Sequence, residues 1–236
     1  MIDTKGNKDV FDRIAGCYIR EDSHWGSDLD LIKTSLDKLI EKQSNPHWLD
    51  IGCGPAFHLT SIAEFYPEVK ATGIDYSPTM LEEAKKRIKK VGIKNIDFKE
   101  LDITRNSIPH GSGLITFLNN GFGNVCRNGT NPSEIRGRII NNIITSLSEG
   151  GHFILSVYNI EQINKLYGGN LEVLENLSDI RRGDLFVEYS PRNNGKIIYY
   201  SHWFSEKELH DIALEHSLAI DFLERRMSRF LARYKK

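Results

Sequence analysis

The sequence lacks the features that mark a secreted, membrane-spanning or nucleic-acid-coating chain. Its 236 residues include only three cysteines, widely spaced, so neither a disulfide framework nor a structural zinc site is expected. No apolar run reaches the ~18–20 residues that span a bilayer, and the first residues contain no apolar signal core. Positive and negative residues nearly cancel, at a net charge of -1, which removes the simplest electrostatic argument for binding nucleic acid or an anionic membrane. We therefore expect a cytoplasmic protein without a membrane segment.

The chain also lacks repeats and any linker rich in proline, glycine or serine, which favours a single domain. Short apolar segments alternate with amphipathic helical patterns, and this order predicts a parallel sheet with helices on both faces. The predicted strands are 48–51, 69–75, 96–102, 113–120 and 152–158, and the predicted helices include 29–42, 77–91 and 131–147.

The pattern changes after residue 158. Segments 185–190 and 196–204 alternate as antiparallel strands do, with Tyr200, His202 and Phe204 on one face of the second segment. Because one face of such a strand must be core, we expect at most half of its polar and aromatic side chains to reach a ligand. Ser205 and Glu208 form a capping box that opens a further helix, and the last residues predict a terminal hairpin.

A glycine-rich turn follows the first predicted strand. Gly52 and Gly54 allow a ligand to approach backbone where a Cβ is too large, next to the start of a helix. The dinucleotide-binding pattern requires a small residue three positions after Gly54, and Phe57 stands there instead. A nicotinamide or flavin ligand is therefore disfavoured.

Three acidic residues follow or precede this turn. Asp75 ends the second strand and is placed to accept hydrogen bonds from two ribose hydroxyls. Asp102 ends the third strand, where a carboxylate accepts an adenine amino hydrogen, and Asp50 is placed to hold the turn or reach a ligand ammonium. Acids around the ligand favour a cationic sulfonium over a pyrophosphate.

Together these segments resemble class I S-adenosylmethionine-dependent methyltransferases. The matching segments, in family order, are WLDIGCGPA, GIDYSPTML, ELDI and LSEGGHFILSVYN, within residues 45–160. The resemblance implies a doubly wound, mostly parallel seven-stranded sheet with an antiparallel last strand and a small antiparallel substrate-side elaboration. It implies S-adenosyl-L-methionine as cofactor, S-adenosyl-L-homocysteine as product, and these cofactor-binding residues: Asp50, Gly52, Cys53, Gly54, Asp75, Tyr76, Met80, Asp102, Ile103 and Asn119.

The resemblance also indicates where methyl transfer takes place. Residues 119–124 are similar to the NSFGH-type segment of small-molecule N- and O-methyltransferases, with Asn124 where histidine is common. The lead-in FDRIAGCYI matches the family's tyrosine at Tyr18. We name Tyr18, Asn120 and His202 as candidate catalytic residues, with His202 as the candidate base. No metal is expected in the site.

The predicted organisation is one methyltransferase domain in four parts. These are an N-terminal helical lid (1–44), a cofactor-binding core (45–160), a substrate-side insertion (161–204) and a C-terminal helix and hairpin (205–236). The expected partner is a small-molecule methyl acceptor, for a monomer or homodimer, with neither membrane nor nucleic acid as partner. The alternatives are an RNA or protein methyltransferase that uses the basic C-terminal tail, and a non-catalytic protein that binds an adenosyl ligand.

Overall fold

A computed structural model of the chain describes residues 7–15, 26–127, 130–165, 171–189, 196–226 and 228–236. Tyr18 lies outside the described residues. The described elements comprise one large sheet, one small sheet and helices on both faces of the large sheet.

The strands of the large sheet are β1 (His47–Ile51), β2 (Lys70–Asp75), β3 (Ile96–Glu100), β4 (Ser112–Phe117), β5 (Leu147–Tyr158), β9 (Ala219–Arg226) and β10 (Arg229–Lys235). These seven strands are arranged in the order β3-β2-β1-β4-β5-β10-β9. The first five are parallel neighbours, whereas β10 runs antiparallel to both β5 and β9. The predicted doubly wound sheet with an antiparallel last strand is confirmed.

The helices divide between the two faces because successive strand residues point to opposite sides. The helices are α1 (Lys8–Ile14), α2 (Gly26–Ile40), α3 (Phe57–Ile62), α4 (Pro78–Val91), α5 (Pro132–Ser146) and α6 (Glu206–Glu215). Trp48, Leu114 and Ile154 pack in a core with α2, α3 and α4, while their strand neighbours face α5 and α6. Both sides of the sheet are therefore buried.

The small sheet is antiparallel and lies between β5 and α6 in the chain. It consists of β6 (Leu171–Val173), β7 (Asp184–Tyr189) and β8 (Ile197–His202), in that order. It supplies the predicted antiparallel elaboration. The sequence located β7 and β8, while the three-residue β6 was not predicted.

One predicted boundary is wrong. The strand predicted at 152–158 begins at Leu147, because the backbone is already extended there and continues through the left-handed Gly150 with a register shift against β4. In the segment 196–204, Tyr200, Ser201, His202, Trp203 and Phe204 are all buried, which agrees with the expectation that at most half of its side chains reach a ligand. Within the described residues, no helix has both the length and the apolar character needed to cross a membrane.

Candidate active site

A cavity opens at the carboxyl ends of the parallel strands. Strands β2 and β4 flank β1 on opposite sides, so the strand order reverses here and leaves the crevice in which doubly wound sheets bind ligands. All ten predicted cofactor-binding residues line this one cavity: Asp50, Gly52, Cys53, Gly54, Asp75, Tyr76, Met80, Asp102, Ile103 and Asn119.

The glycine loop adopts the left-handed conformation at three positions. Gly52 has φ of +63° and Gly54 has φ of +52°, and Ala56 has φ of 62° although it carries a Cβ. An added Cβ on Gly52 meets the Phe117 ring at 3.2 Å, so both backbone angle and space favour glycine. The two glycines predicted this loop directly, because a tight turn next to a helix favours glycine.

Asp75 ties the glycine loop to the start of α4. Its two carboxylate oxygens accept hydrogen bonds from the backbone N–H of Gly54 at 2.8 Å and of Ser77 at 2.9 Å. Burial raises the pKa of Asp75 to about 6, although these N–H donors act to lower it. Each oxygen has a second lone pair, so the carboxylate retains the capacity to accept ribose hydroxyls.

Asp50 is a second buried carboxylate on the cavity wall. Trp48 Nε1 donates to the Thr116 hydroxyl at 2.9 Å, and that hydroxyl donates to Asp50 at 2.6 Å. Burial raises the pKa of Asp50 to about 6, and the electrostatic interaction with His58 and the Thr116 hydrogen bond act against this rise. Two buried carboxylates on one cavity wall favour a ligand that carries positive charge.

Asp102 is a half-buried carboxylate that also lines the cavity. One of its carboxylate oxygens accepts from the Thr104 backbone N–H at 2.9 Å and from the Thr104 hydroxyl at 2.6 Å. The other lies 3.2 Å from Arg105 Nε. The side chain is therefore fixed at the cavity wall.

The loop after β4 bends as the Asn-Gly sequence predicts, although the left-handed residues are Asn119 and Asn120. The glycines supply space instead: a Cβ on Gly123 lies 2.3 Å from the His202 carbonyl oxygen. Asn119 and Asn124 line the cavity, whereas the buried Asn120 side chain bonds to Ser201 Oγ at 3.0 Å and accepts from Tyr158 N–H at 3.0 Å. Asn120 therefore joins β5 to β8.

His202 is held away from the cavity by charged neighbours. Its Nδ1 lies 2.8 Å from Asp184 and its Nε2 lies 2.9 Å from Glu208. Arg136 lies 3.3 Å from Nδ1, and the ring is 3% exposed. Neither His202 nor Asn120 is among the described residues that line the cavity, so the geometry gives no support to a catalytic role for either. Tyr18, the third candidate, lies outside the described residues.

Several cavity residues were not singled out from the sequence as ligand contacts, among them Phe11, His58 and Cys126. Phe11, on α1, lies 6.4 Å from both Tyr76 and Tyr199 between ring centroids and covers one side of the cavity. His58, in the first turn of α3, and Cys126 complete the wall. The signal for His58 was its position directly after the glycine loop, while Cys126 resembled a packing residue.

The basic C-terminal tail is folded into the sheet. Arg229 lies 2.9 Å from Asp28, and Arg233 lies 2.7 Å from Asp221, and both arginines are buried. Their guanidinium charges are thus neutralised by acids within the protein. The other basic residues of the tail are not buried: Arg225, Arg226 and Lys235 are exposed, and Lys236 is half-buried.

The cavity and the sheet define an adenosyl-ligand site of the doubly wound type. The model of the family described as "Methyltransferase domain" matches residues 42–200, and the chain belongs to this family. The predicted family, the predicted enzyme class and S-adenosylmethionine as cofactor are confirmed.

The chain is also similar to solved structures and curated proteins that are less than 30% identical to it. The chain is similar to an S-adenosylmethionine-dependent methyltransferase from Clostridium acetobutylicum, at a TM-score of 0.67 and 18% identity over 96% of this chain and 98% of that one. A carboxy-S-adenosyl-L-methionine synthase from Campylobacter curvus is 26% identical over 63% of this chain and 59% of its own length. The human EEF1A lysine methyltransferase 2 is 29% identical over 55% of each chain. The chain thus spans less than two thirds of these two curated relatives.

Proposed function

We propose that the protein transfers a methyl group from S-adenosylmethionine to nitrogen or oxygen of a small-molecule acceptor. The observation that supports S-adenosylmethionine as the methyl donor is the pair of buried carboxylates, Asp50 and Asp75. They lie beside a left-handed glycine loop in one cavity. When bound, the cofactor supplies an electrophilic methyl group on a sulfonium. Asp75 holds the ribose and Asp102 the adenine, while Asp50 faces the amino-acid end.

The folded tail favours a small acceptor over RNA. Binding of the phosphate backbone relies on free lysine and arginine side chains, and Arg229 and Arg233 are buried against acids instead. One relative is a lysine methyltransferase, so a protein acceptor is the alternative. An experiment must distinguish it from a small-molecule acceptor. The scarcity of cysteine supports a reducing, cytoplasmic location.

Catalysis in this site rests on alignment and exclusion of water. An in-line methyl transfer gains up to about 7–11 kcal/mol from holding donor and acceptor in line. Phe11 and the loop that carries Asn119 and Asn124 border the cavity and limit the acceptor's approach. We propose that the acceptor enters on this side, next to Asn124.

Replacing Asp75 by alanine is expected to weaken S-adenosylhomocysteine binding by about tenfold to a hundredfold, because two hydrogen bonds to the ribose are lost. Isothermal titration calorimetry measures the change. Asp97→Ala, an exposed acid on the neighbouring strand β3, is the matched control and should bind as the wild type does. An Asp75→Ala affinity equal to that of the wild type contradicts the assignment.

The acceptor class is tested with methyl-labelled S-adenosylmethionine and a cell extract separated into metabolites and macromolecules. Label in the metabolite fraction, identified by mass, supports the proposal. Label confined to protein or RNA contradicts the small-molecule acceptor, and no label despite cofactor binding indicates a non-catalytic protein.

A further inference from the structure

Helix α1 contacts both the wall of the adenosyl cavity and the small sheet. Its residue Phe11 lines the cavity and lies 6.4 Å from Tyr199 of β8 between ring centroids. Ile14 packs in one apolar cluster with Met80 of α4 and Ile197 of β8. A helix of seven residues is too short to be stable by its own hydrogen bonds, so contacts with the rest of the protein must hold it in place.

The first polar contact of this helix is made by Asn7, the residue directly before it. The side-chain amide donates to the carbonyl oxygens of Tyr200 at 2.7 Å and of Asn124 at 2.6 Å, and the side-chain oxygen accepts from the Tyr200 N–H at 3.1 Å. An asparagine at the start of a helix ordinarily bonds to the helix's own N–H groups, but this side chain makes no such bond. The buried Asn7 instead joins α1 to β8 and to the loop after β4.

The second polar contact is made by Asp12, which joins α1 to the cofactor side of the cavity. Ser77, whose hydroxyl caps α4, donates that hydroxyl to Asp12. The Ser77 N–H donates to Asp75 at 2.9 Å, so only one residue separates α1 from the carboxylate that we assign to the ribose. One short helix therefore connects the cofactor wall, through Asp12, with the small sheet, through Asn7.

A ligand in the cavity adds contacts to this helix. It meets Phe11 directly, and it reaches Asp12 by way of Asp75 and Ser77. A ligand shifts an equilibrium toward the arrangement in which it makes more contacts, so occupancy of the cavity favours the docked position of α1. Asn7 is not among the described residues that line the cavity, and it therefore acts on the site only through the segments that it joins.

We propose that Asn7 is a positioning residue that couples occupancy of the adenosyl cavity to the position of β8 and of the loop after β4. This inference rests on the proposed function, because it assumes that an adenosyl ligand occupies the cavity and that the acceptor enters next to Asn124. The adenosyl ligand then fixes the acceptor side of the site before the acceptor arrives. Bound ligand should consequently suppress local opening of β8, although β8 supplies none of the described residues that line the cavity.

Hydrogen–deuterium exchange with and without saturating S-adenosylhomocysteine tests this coupling in wild type and Asn7→Ala. In the wild type, the ligand is expected to slow exchange of the β8 amides by at least about fivefold. In Asn7→Ala, the ligand should change exchange at β8 by less than about twofold. The ligand-dependent change is the readout because the variant also loses the Tyr200 bond, and β8 then exchanges faster with or without ligand.

Occupancy of the cavity is measured in the same experiment. The N–H groups of Gly54 and Ser77 both donate to Asp75, and their exchange should slow on ligand binding in the wild type and in Asn7→Ala alike. Asp9→Ala is the matched control, since Asp9 is an exposed residue of the same helix, and it should respond to the ligand at β8 as the wild type does.

Two results would overturn the inference. One is a ligand response of β8 that is equal in wild type and Asn7→Ala, and the other is a wild type in which the ligand slows Gly54 and Ser77 but not β8. A wild type without any response at Gly54 and Ser77 overturns the proposed function itself. Asp12→Ala cuts the other connection of α1 and replaces Asn7→Ala if that variant does not fold, and the same loss of response at β8 is expected.

Discussion

Replacing His202 by glutamine is expected to lower the free energy of unfolding by about 2–3 kcal/mol, because it leaves two carboxylates without their shared partner. The ring contacts Asp184 of β7 at 2.8 Å and Glu208 of α6 at 2.9 Å. The expected loss of stability is smaller than for a fully buried pair. The side chains of Asp184 and Glu208 are 35% and 39% exposed, so water screens their interaction with the ring. Urea unfolding, followed by circular dichroism, measures it.

The pH dependence of this variant supplies a second readout. Burial acts to raise the pKa of Asp184 and Glu208, but the hydrogen bonds from His202, together with those from Tyr200 to Asp184 and from Ser205 to Glu208, hold both pKa values below their ordinary values. A lowered carboxyl pKa contributes stability that is present above the unfolded value, near pH 4, and is lost as the pH falls through the folded value. The wild type should therefore lose this stability in acid, and the stability difference from His202→Gln should shrink there.

The control for this experiment is His210→Gln. His210 lies on the exposed side of α6, with Glu206 at 4.0 Å, and an exposed pair of this kind contributes little. Unfolding curves that coincide for wild type and His202→Gln would show that the small sheet is held to the core by other contacts. Asn120, which donates to the His202 carbonyl at 3.2 Å, is the first alternative.

Replacing Asp50 by asparagine is expected to stabilise the ligand-free protein by about 2–3 kcal/mol at pH 8. The carboxyl pKa is raised from 3.8 to about 6 by burial, so the folded protein holds this proton more tightly than the unfolded chain does. The contribution of Asp50 to the stability of the wild type therefore falls as the pH rises from about 4 to about 6, and it is constant above that. Asparagine is neutral throughout and keeps an oxygen that accepts from Thr116.

The stability difference between Asp50→Asn and wild type should accordingly grow between these two pH values and then level off. Chemical denaturation at a series of pH values measures it, with Asp97→Asn as the exposed control. The same variant should bind S-adenosylhomocysteine at least about tenfold more weakly, since the amide does not match an ammonium. A variant no more stable than wild type at pH 8 contradicts a buried, ionised Asp50.

The cofactor end of the molecule was predictable because its constraints are local. Gly52 and Gly54 are required by backbone angles, and Asp75 follows at a spacing set by one helix and one strand. The same holds for Ser77, whose hydroxyl caps α4, and for the Ser205 capping box of α6. Such signals lie within a few residues of the feature that they determine.

The surroundings of the small sheet were less predictable because they are built by contacts between distant segments. The alternation of β8 places Tyr200 and His202 on one face, but it does not reveal that α5 and α6 cover that face with Arg136 and Glu208. Arg229 and Arg233 appeared as a basic tail for the same reason, since their partners Asp28 and Asp221 are set by tertiary structure. Polarity in a sequence indicates neither exposure nor burial when the partner is far along the chain.

The pairing of Arg229 with Asp28 joins residues 201 positions apart and has a consequence for synthesis on the ribosome. Asp28 and the glycine loop are made early, whereas β10, which supplies Arg229 and lies between β5 and β9, is the last strand translated. A nascent chain that stops before β10 exposes an edge of β5 and leaves Asp28 without its arginine. Asp28 therefore gains its arginine only after every other described strand has been translated.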